Sequence, residues 1–200
     1  MYNKEGKIVL FDGTSTALWQ GAGNGEPCNW PIDNGELLVG HGNIVSTVTF
    51  GDAMLHVEFK EPDMPDAVGQ AKGNSGVYVH GCYEIQVLDS YGIENPTKGD
   101  CGALYDMYIP LTNACKPALE WQTYDIILRA PRFDEAGNVT ENGRMTVLQN
   151  GLPIHNNAIL PRVTPGGITE DKVVRTGVLM LQDHGDPVRF RNIWVLPLEE

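Results

Sequence analysis

The chain has 200 residues, 26 acidic against 14 basic, for a formal net charge of −12, and 42% of it is apolar. That acidity repels phosphate backbones and anionic lipid, and the basic residues are scattered, so nucleic acid and charged membrane surfaces are excluded as partners. No run approaches the roughly 18–20 apolar residues of a membrane span, and 23 Gly with 13 Pro make the chain rich in turns without lowering its apolar content to that of a disordered protein.

In chain order, Met1 to Phe11 alternates Lys and Glu before a short apolar run and lacks the apolar core and cleavage site of a secretory leader. The chain therefore reads as cytoplasmic, or as periplasmic or secreted if a leader has been removed. Hydrophobic period two predicts strands at 7–11, 44–50, 53–60, 75–80, 83–89, 121–129, 176–182 and 188–196. Asn34-Gly35 and Asn150-Gly151 predict hairpins pairing 29–33 with 36–40 and 144–149 with 152–156, because both central residues of a type I′ turn need positive φ. No segment of a dozen residues carries a helical stripe. The stretches 61–73, 90–100, 108–119, 130–142 and 161–175 read as long loops, of the kind that bind or cover a site. One all-β domain over 1–200, two packed antiparallel sheets or a closed barrel, is expected. Cys28, Cys82, Cys101 and Cys115 contain no CxxC pair, which argues against a zinc ribbon or thioredoxin-type site. Cys101 and Cys115 would close a short loop if bridged, but reduced, buried thiols are the simpler expectation.

The most informative segment runs from Gly73 to Tyr91. A three-residue loop, Gly81-Cys82-Tyr83, would set His80 opposite Glu84, Tyr78 opposite Gln86, Val79 opposite Ile85 and Val77 opposite Val87. This register keeps apolar with apolar, whereas a two-residue loop would put His80 in the core. Tyr78, His80, Glu84 and Gln86 then share one face with Asp89 at its end, a set suited to proton transfer and to binding sugar hydroxyls. The alternative is the solvated side of an edge hairpin. Glu84-x-Gln86-x-x-Asp89 is similar to the E-x-D-x-x-E strand of laminarinase-like glycoside hydrolases, where a bulge turns three acids into a cleft. The middle acid here is Gln, so the paired carboxyls of a double-displacement glycosidase are not evident.

The ordered motifs Leu10-Phe-Asp-Gly-Thr-Ser-Thr-Ala-Leu-Trp19, Trp30 to Leu37, Asn74-Ser-Gly-Val-Tyr78, Tyr83 to Asp89, Gly102-Ala-Leu-Tyr105, Glu120 to Ile126, Asn150-Gly151 and Leu181 to Trp194 span nearly the whole chain. Together they resemble the 3-keto-disaccharide hydrolase domain family. The resemblance implies a concanavalin-A-like jelly-roll β-sandwich of two antiparallel sheets, acting on glycosides already oxidised to a ketone at C3. It also implies an upstream sugar 3-dehydrogenase as pathway partner.

A C3 ketone acidifies the C2 proton, so a single base and a donor to the enolate oxygen can drive loss of the C1 substituent, with water adding afterwards. Glu84 is the leading general base, or else a metal ligand if a divalent cation takes part. His80 is a candidate acid, donor or metal ligand, Asp89 a second acid or a loop cap, and His184 a further acid/base or metal ligand. Tyr78, Gln86 and Gln182 are expected to bind substrate. Arg189 and Arg191 leave their strand on one face and could bind a keto oxygen or balance a carboxylate. Trp121 could stack on a sugar or pack in the core, and Trp19, Trp30 and Trp194 read as core. Asp12-Gly13 and Asn74-Ser75 read as backbone-fixing. A non-catalytic carbohydrate-binding module and an ordinary glycoside hydrolase are the competing readings.

Overall fold

The structure, a computed structural model, describes residues 6–199; residues 1–5, the start of the Lys/Glu stretch, lie outside the described residues. The strands in order are β1 (Ile8–Phe11), β2 (Trp19–Gly21), β3 (Ile32–Asp33), β4 (Glu36–Leu38), β5 (Ile44–Phe50), β6 (Ala53–Lys60), β7 (Ser75–Val79), β8 (Tyr83–Val87), β9 (Gln122–Arg129), β10 (Arg132–Phe133), β11 (Val139–Glu141), β12 (Gly143–Gln149), β13 (Leu152–Leu160), β14 (Gly177–Leu181) and β15 (Arg189–Pro197). Both Asn-Gly hairpins form where expected, with φ of 53° and 80° at Asn34 and Gly35 and 52° and 81° at Asn150 and Gly151. Sequence reading missed β2 and the small β10–β11 ribbon, which are too short to carry a period.

An eight-stranded sheet runs β13-β12-β9-β6-β15-β4-β3, with β1 added on β15, and a five-stranded sheet runs β2-β5-β14-β7-β8. Alternation decides which side of each strand is buried. In β6, Ala53, Leu55, Val57 and Phe59 are buried while Met54, His56, Glu58 and Lys60 point the other way. Across the sandwich, Val77, Val79, Ile85 and Val87 of the smaller sheet join Leu55, Val57, Phe59, Tyr124 and Ile126 of the larger one in a single core. Each large apolar side chain sealed there is worth about 1.5–3 kcal/mol relative to exposure. The result is a concanavalin-A-like jelly-roll sandwich. Trp19 and Trp30 are core, their indole N–H groups donating to the carbonyls of Leu10 and Gly42, both at 2.9 Å. Trp194 is not; it lies half-buried on the outer side of β15, stacked on His56 at 5.4 Å.

The central hairpin corrects the expected register. Tyr78 pairs with Glu84, Gly76 with Gln86, Val77 with Ile85 and Val79 with Tyr83, so the turn is His80-Gly81-Cys82. His80 and Gly81 both take left-handed backbone, φ 56° and 66°, and the Cys82 N–H donates to the Val79 carbonyl at 3.3 Å. The slip amounts to two positions in the pairing sum, and therefore each strand residue keeps its predicted side. Tyr78, Glu84 and Gln86 face away from the core, but under cover rather than in solvent, because segments 102–105 and 161–168 close over them.

Candidate active site

The outer side of β7, β8 and β14 forms the floor of a small pocket of about 150 Å³, walled by Gln70, Asn74, Tyr105, Pro165, Gly166 and His184, with Tyr78, Glu84, Gln86 and Gln182 beneath. Glu84 is fixed by main-chain bonds on both sides: its N–H donates to Thr164 Oγ1 at 2.8 Å, and its carbonyl accepts from the Tyr105 N–H at 3.2 Å. Its side chain lies across Gly76, where a Cβ would sit 2.5 Å from Oε1 and 2.8 Å from Tyr78 Cε2. Only glycine leaves room there.

Glu84 is 3% exposed. Burial pushes its carboxyl up to about 7, against a smaller opposing pull from the Tyr78 hydroxyl. Burial and the neighbouring Glu84 charge push the Tyr78 phenol far above its ordinary value, so it stays neutral. Tyr78 donates to the Pro165 carbonyl at 3.1 Å and accepts from Gln182 Nε2 at 3.2 Å. Gln86 Nε2 donates to Asn74 Oδ1 at 3.2 Å and Gln70 Oε1 at 3.3 Å. With both amide nitrogens engaged, Gln86 Oε1 and Gln182 Oε1 are buried without partners. A buried acceptor left unpaired costs roughly 1–3 kcal/mol, which a ligand hydroxyl would relieve. His184 stands at the exposed rim, in a turn set by Asp183, which accepts from the Gly42 N–H at 2.8 Å and the Gly185 N–H at 2.9 Å.

Five predicted residues thus meet in the pocket: Tyr78, Glu84, Gln86, Gln182 and His184. The others do not. His80 is buried behind the hairpin turn, where Nε2 meets the Gly51 carbonyl at 3.1 Å, the ring packs on Phe50 at 5.3 Å and burial lowers its pKa. Asp89 follows the end of β8 instead of riding a bulge into the cleft; it pairs with Lys72 Nζ at 2.9 Å and accepts from the Tyr91 N–H at 3.3 Å, the capping alternative. Trp121, Arg189 and Arg191 belong to the outer side of the other sheet. There Arg189 pairs with Asp33 at 2.8 Å and Glu36 at 3.0 Å, and Arg191 pairs with Glu58 at 2.6 Å and covers the Trp121 ring at 3.9 Å. Lys60 Nζ is 4.6 Å from the same ring, so Trp121 carries cations and not a sugar. Asn74 does fix backbone, since its Nδ2 donates to the Gln70 carbonyl at 2.7 Å, yet it also lines the pocket. Sequence reading missed Gln70 and Tyr105. Tyr105 stood in the Gly102–Tyr105 motif and had a signal; Gln70, in a Gly-rich loop, had none.

For a divalent cation the pocket offers the Glu84 carboxylate, the His184 imidazole and two amide carbonyls. Among the described residues no three His, Cys, Asp or Glu side chains are grouped to hold a metal ion. His80 lies outside the pocket, so Glu84 and His184 with the two amide oxygens are the donors that would hold a cation, and no step of the proposed cleavage runs through one.

The model of the 3-keto-alpha-glucoside-1,2-lyase-like domain matches residues 6–196. The chain belongs to that family. The chain is similar to a provisionally named glycosyl hydrolase from Parabacteroides distasonis, at 37% identity over 97% of this chain and 84% of the other, with a TM-score of 0.87. Two more provisionally named glycosyl hydrolases from that organism share the fold, at 21% identity and TM-score 0.71 over 98% and 95% of the two chains, and at 22% and 0.64 over 96% and 99%. No curated protein matches the sequence. Family and pocket together mark the lyase-like chain as a glycoside-acting enzyme, and no helix of its described residues is long and apolar enough to cross a membrane.

Proposed function

We propose that the chain cleaves glycosides carrying a ketone at C3, with Glu84 as the base. The observation that carries this reading is the solitary carboxyl: Glu84 is the one acid among the described residues lining the pocket. Ordinary retaining or inverting glycosidases need two carboxyls, about 5 Å or 6.5–9.5 Å apart. A 3-keto-glycoside needs one, because the ketone does the activating. Glu84 takes the C2 proton, and the electron pair delocalises onto the C3 oxygen as an enolate. The enolate then collapses, breaking the C1–O bond and expelling the aglycone, and water adds across the new C1–C2 double bond to complete a net hydrolysis. An acid poised near 7 is matched to taking a proton at neutral pH and returning it. His184 and the Tyr105 hydroxyl supply donors at the pocket wall for the enolate and the leaving oxygen. Gln86 Oε1 and Gln182 Oε1 accept sugar hydroxyls, and the orientation of both amides is set by their engaged nitrogens. The ketone in turn requires a sugar 3-dehydrogenase upstream.

The test is incubation with a 3-keto-glucoside and with its unoxidised parent, each with and without chelator. Release of the aglycone from the keto compound alone is expected, undiminished by chelator. Cleavage of the parent would overturn the reading in favour of an ordinary glycosidase, and binding without turnover of either would favour a carbohydrate-binding module.

A further inference from the structure

Between the two sheets lies a polar cluster that glycoside cleavage does not use. Gln149 Nε2 donates to Cys101 Sγ and to Cys115 Sγ, each at 3.4 Å, and to Gln122 Oε1 at 3.1 Å. Gln122 Nε2 in turn donates to both oxygens of the buried Glu61, at 2.9 and 2.8 Å. Cys101 Sγ is also 3.3 Å from the Tyr124 hydroxyl, which donates to the Gln86 carbonyl at 2.6 Å. The two thiols share one amide donor and are in contact with each other, and both are free. Cys101 is sealed, whereas Cys115 is half-buried.

We propose that Cys101 and Cys115 are a thiol–disulfide exchange site, which a small disulfide such as glutathione disulfide oxidises to an internal bond that ties together the two ends of segment 101–115. The Cys115 thiolate attacks the reagent's S–S bond, forming a mixed disulfide and releasing one glutathione thiolate. Cys101 then attacks the Cys115 sulfur and displaces the second glutathione, its proton leaving with the departing glutathione sulfur, and the Cys101–Cys115 bond closes. The protein loses two electrons and two protons while one glutathione disulfide becomes two glutathiones. Burial pushes the Cys101 thiol well above its ordinary value, and the closing step therefore quickens as pH rises. The stapled segment is the one that pairs with the catalytic strand: the Gly102 N–H donates to the Gln86 carbonyl at 2.9 Å, the Tyr105 N–H to the Glu84 carbonyl at 3.2 Å, and Tyr105 walls the pocket. Oxidation fastens that wall.

The folded chain is exposed to glutathione disulfide, then denatured, alkylated and weighed. Loss of two hydrogens, two alkylatable cysteines remaining, a peptide linking residues 101 and 115, and a Tm rise of roughly 5–10 °C are expected. Cys101→Ser should instead stop at a glutathione adduct on Cys115, and Cys115→Ser should form neither. Four alkylatable cysteines after exposure, a stable adduct on wild-type Cys115, or a bond involving Cys28 or Cys82 would each overturn the proposal. These readouts require no glycoside turnover, so they stand apart from the function proposed above.

Discussion

Two faces of this sandwich carry polar side chains, and they treat them in opposite ways. On the outer side of the eight-stranded sheet every charge named above has a partner: Arg189 with Asp33 and Glu36, Arg191 with Glu58, Lys60 with Glu36, His56 with Asp125 and Glu58. On the outer side of the five-stranded sheet, a carboxyl sits in a covered pocket without a cation, beside two amide carbonyls that accept nothing. Folding alone favours the first arrangement. The second costs stability, and a ligand with hydroxyls and an acidic C–H is what would offset it.

The largest effect expected from breaking this contrast is at Glu84. Glu84→Gln should lower kcat by 10²-fold or more, while the wild-type kcat/KM should rise with pH through about 7 as the base ionises. Stability sharpens the same point. The folded pKa of Glu84 lies above the unfolded value, so the native state holds the proton more tightly; stability is greatest below the unfolded pKa near 4.5 and declines as pH rises toward 7. Glu84→Gln should remove that decline, and Tm measured across pH 4–8 checks it. An unchanged kcat would place Glu84 outside the mechanism, whereas an unchanged Tm slope would mean that the decline belongs to another buried acid such as Glu61, whose carboxyl burial also pushes up.

Gly76→Ala comes next. The added methyl would meet Glu84 Oε1 and the Tyr78 ring, so the carboxyl must move off its floor. A loss of roughly 10–100-fold in kcat with about 1–3 kcal/mol of destabilisation is expected, read from initial rates and denaturant melts. A loss of stability with kcat intact would mean that the position of Glu84 is not critical.

The strand pair that carries Glu84 also separates what the sequence encodes from what it does not. The side of the sheet on which Tyr78, Glu84 and Gln86 fall followed from alternation alone, and it survived an error in pairing register because the error was an even number of positions. His80 did not survive. It stood at the strand end, where two left-handed residues turn the chain, and a histidine there alternates with nothing. Arg189, Arg191 and Trp121 were misplaced for a different reason. Alternation tells which side of a strand a residue occupies, but not which of two sheets that strand joins, and β15 joined the sheet away from the pocket. The pocket walls, Gln70, Tyr105 and Gly166, come from loops brought over β8 by tertiary contacts that no local pattern encodes.

On the saturated face the expected effects are small. Trp121→Ala should leave KM and kcat within about twofold and cost about 1 kcal/mol or less, because it removes cation–π contacts with Arg191 and Lys60 far from the pocket floor. A rise in KM of tenfold or more would return Trp121 to the binding site.

The smallest effect is at His56. Burial disfavours its charged form, but Asp125 at 2.7 Å and Glu58 at 3.5 Å outweigh burial and raise its pKa. A histidine whose folded pKa is raised contributes stability that is complete below its unfolded pKa near 6.5 and is lost as pH climbs through the higher folded value. Because Asp125 is nearly half exposed, solvent screens the pair, and the contribution should be no more than a fraction of a kcal/mol. His56→Gln keeps a hydrogen-bonding side chain over Trp194 and abolishes the titration. Its melts should match wild type above pH 8 and fall slightly below wild type at pH 6, with kcat unchanged at both. The opposite slope would mean that the acids around His56 do not hold its proton, and that this face is less saturated than its geometry states.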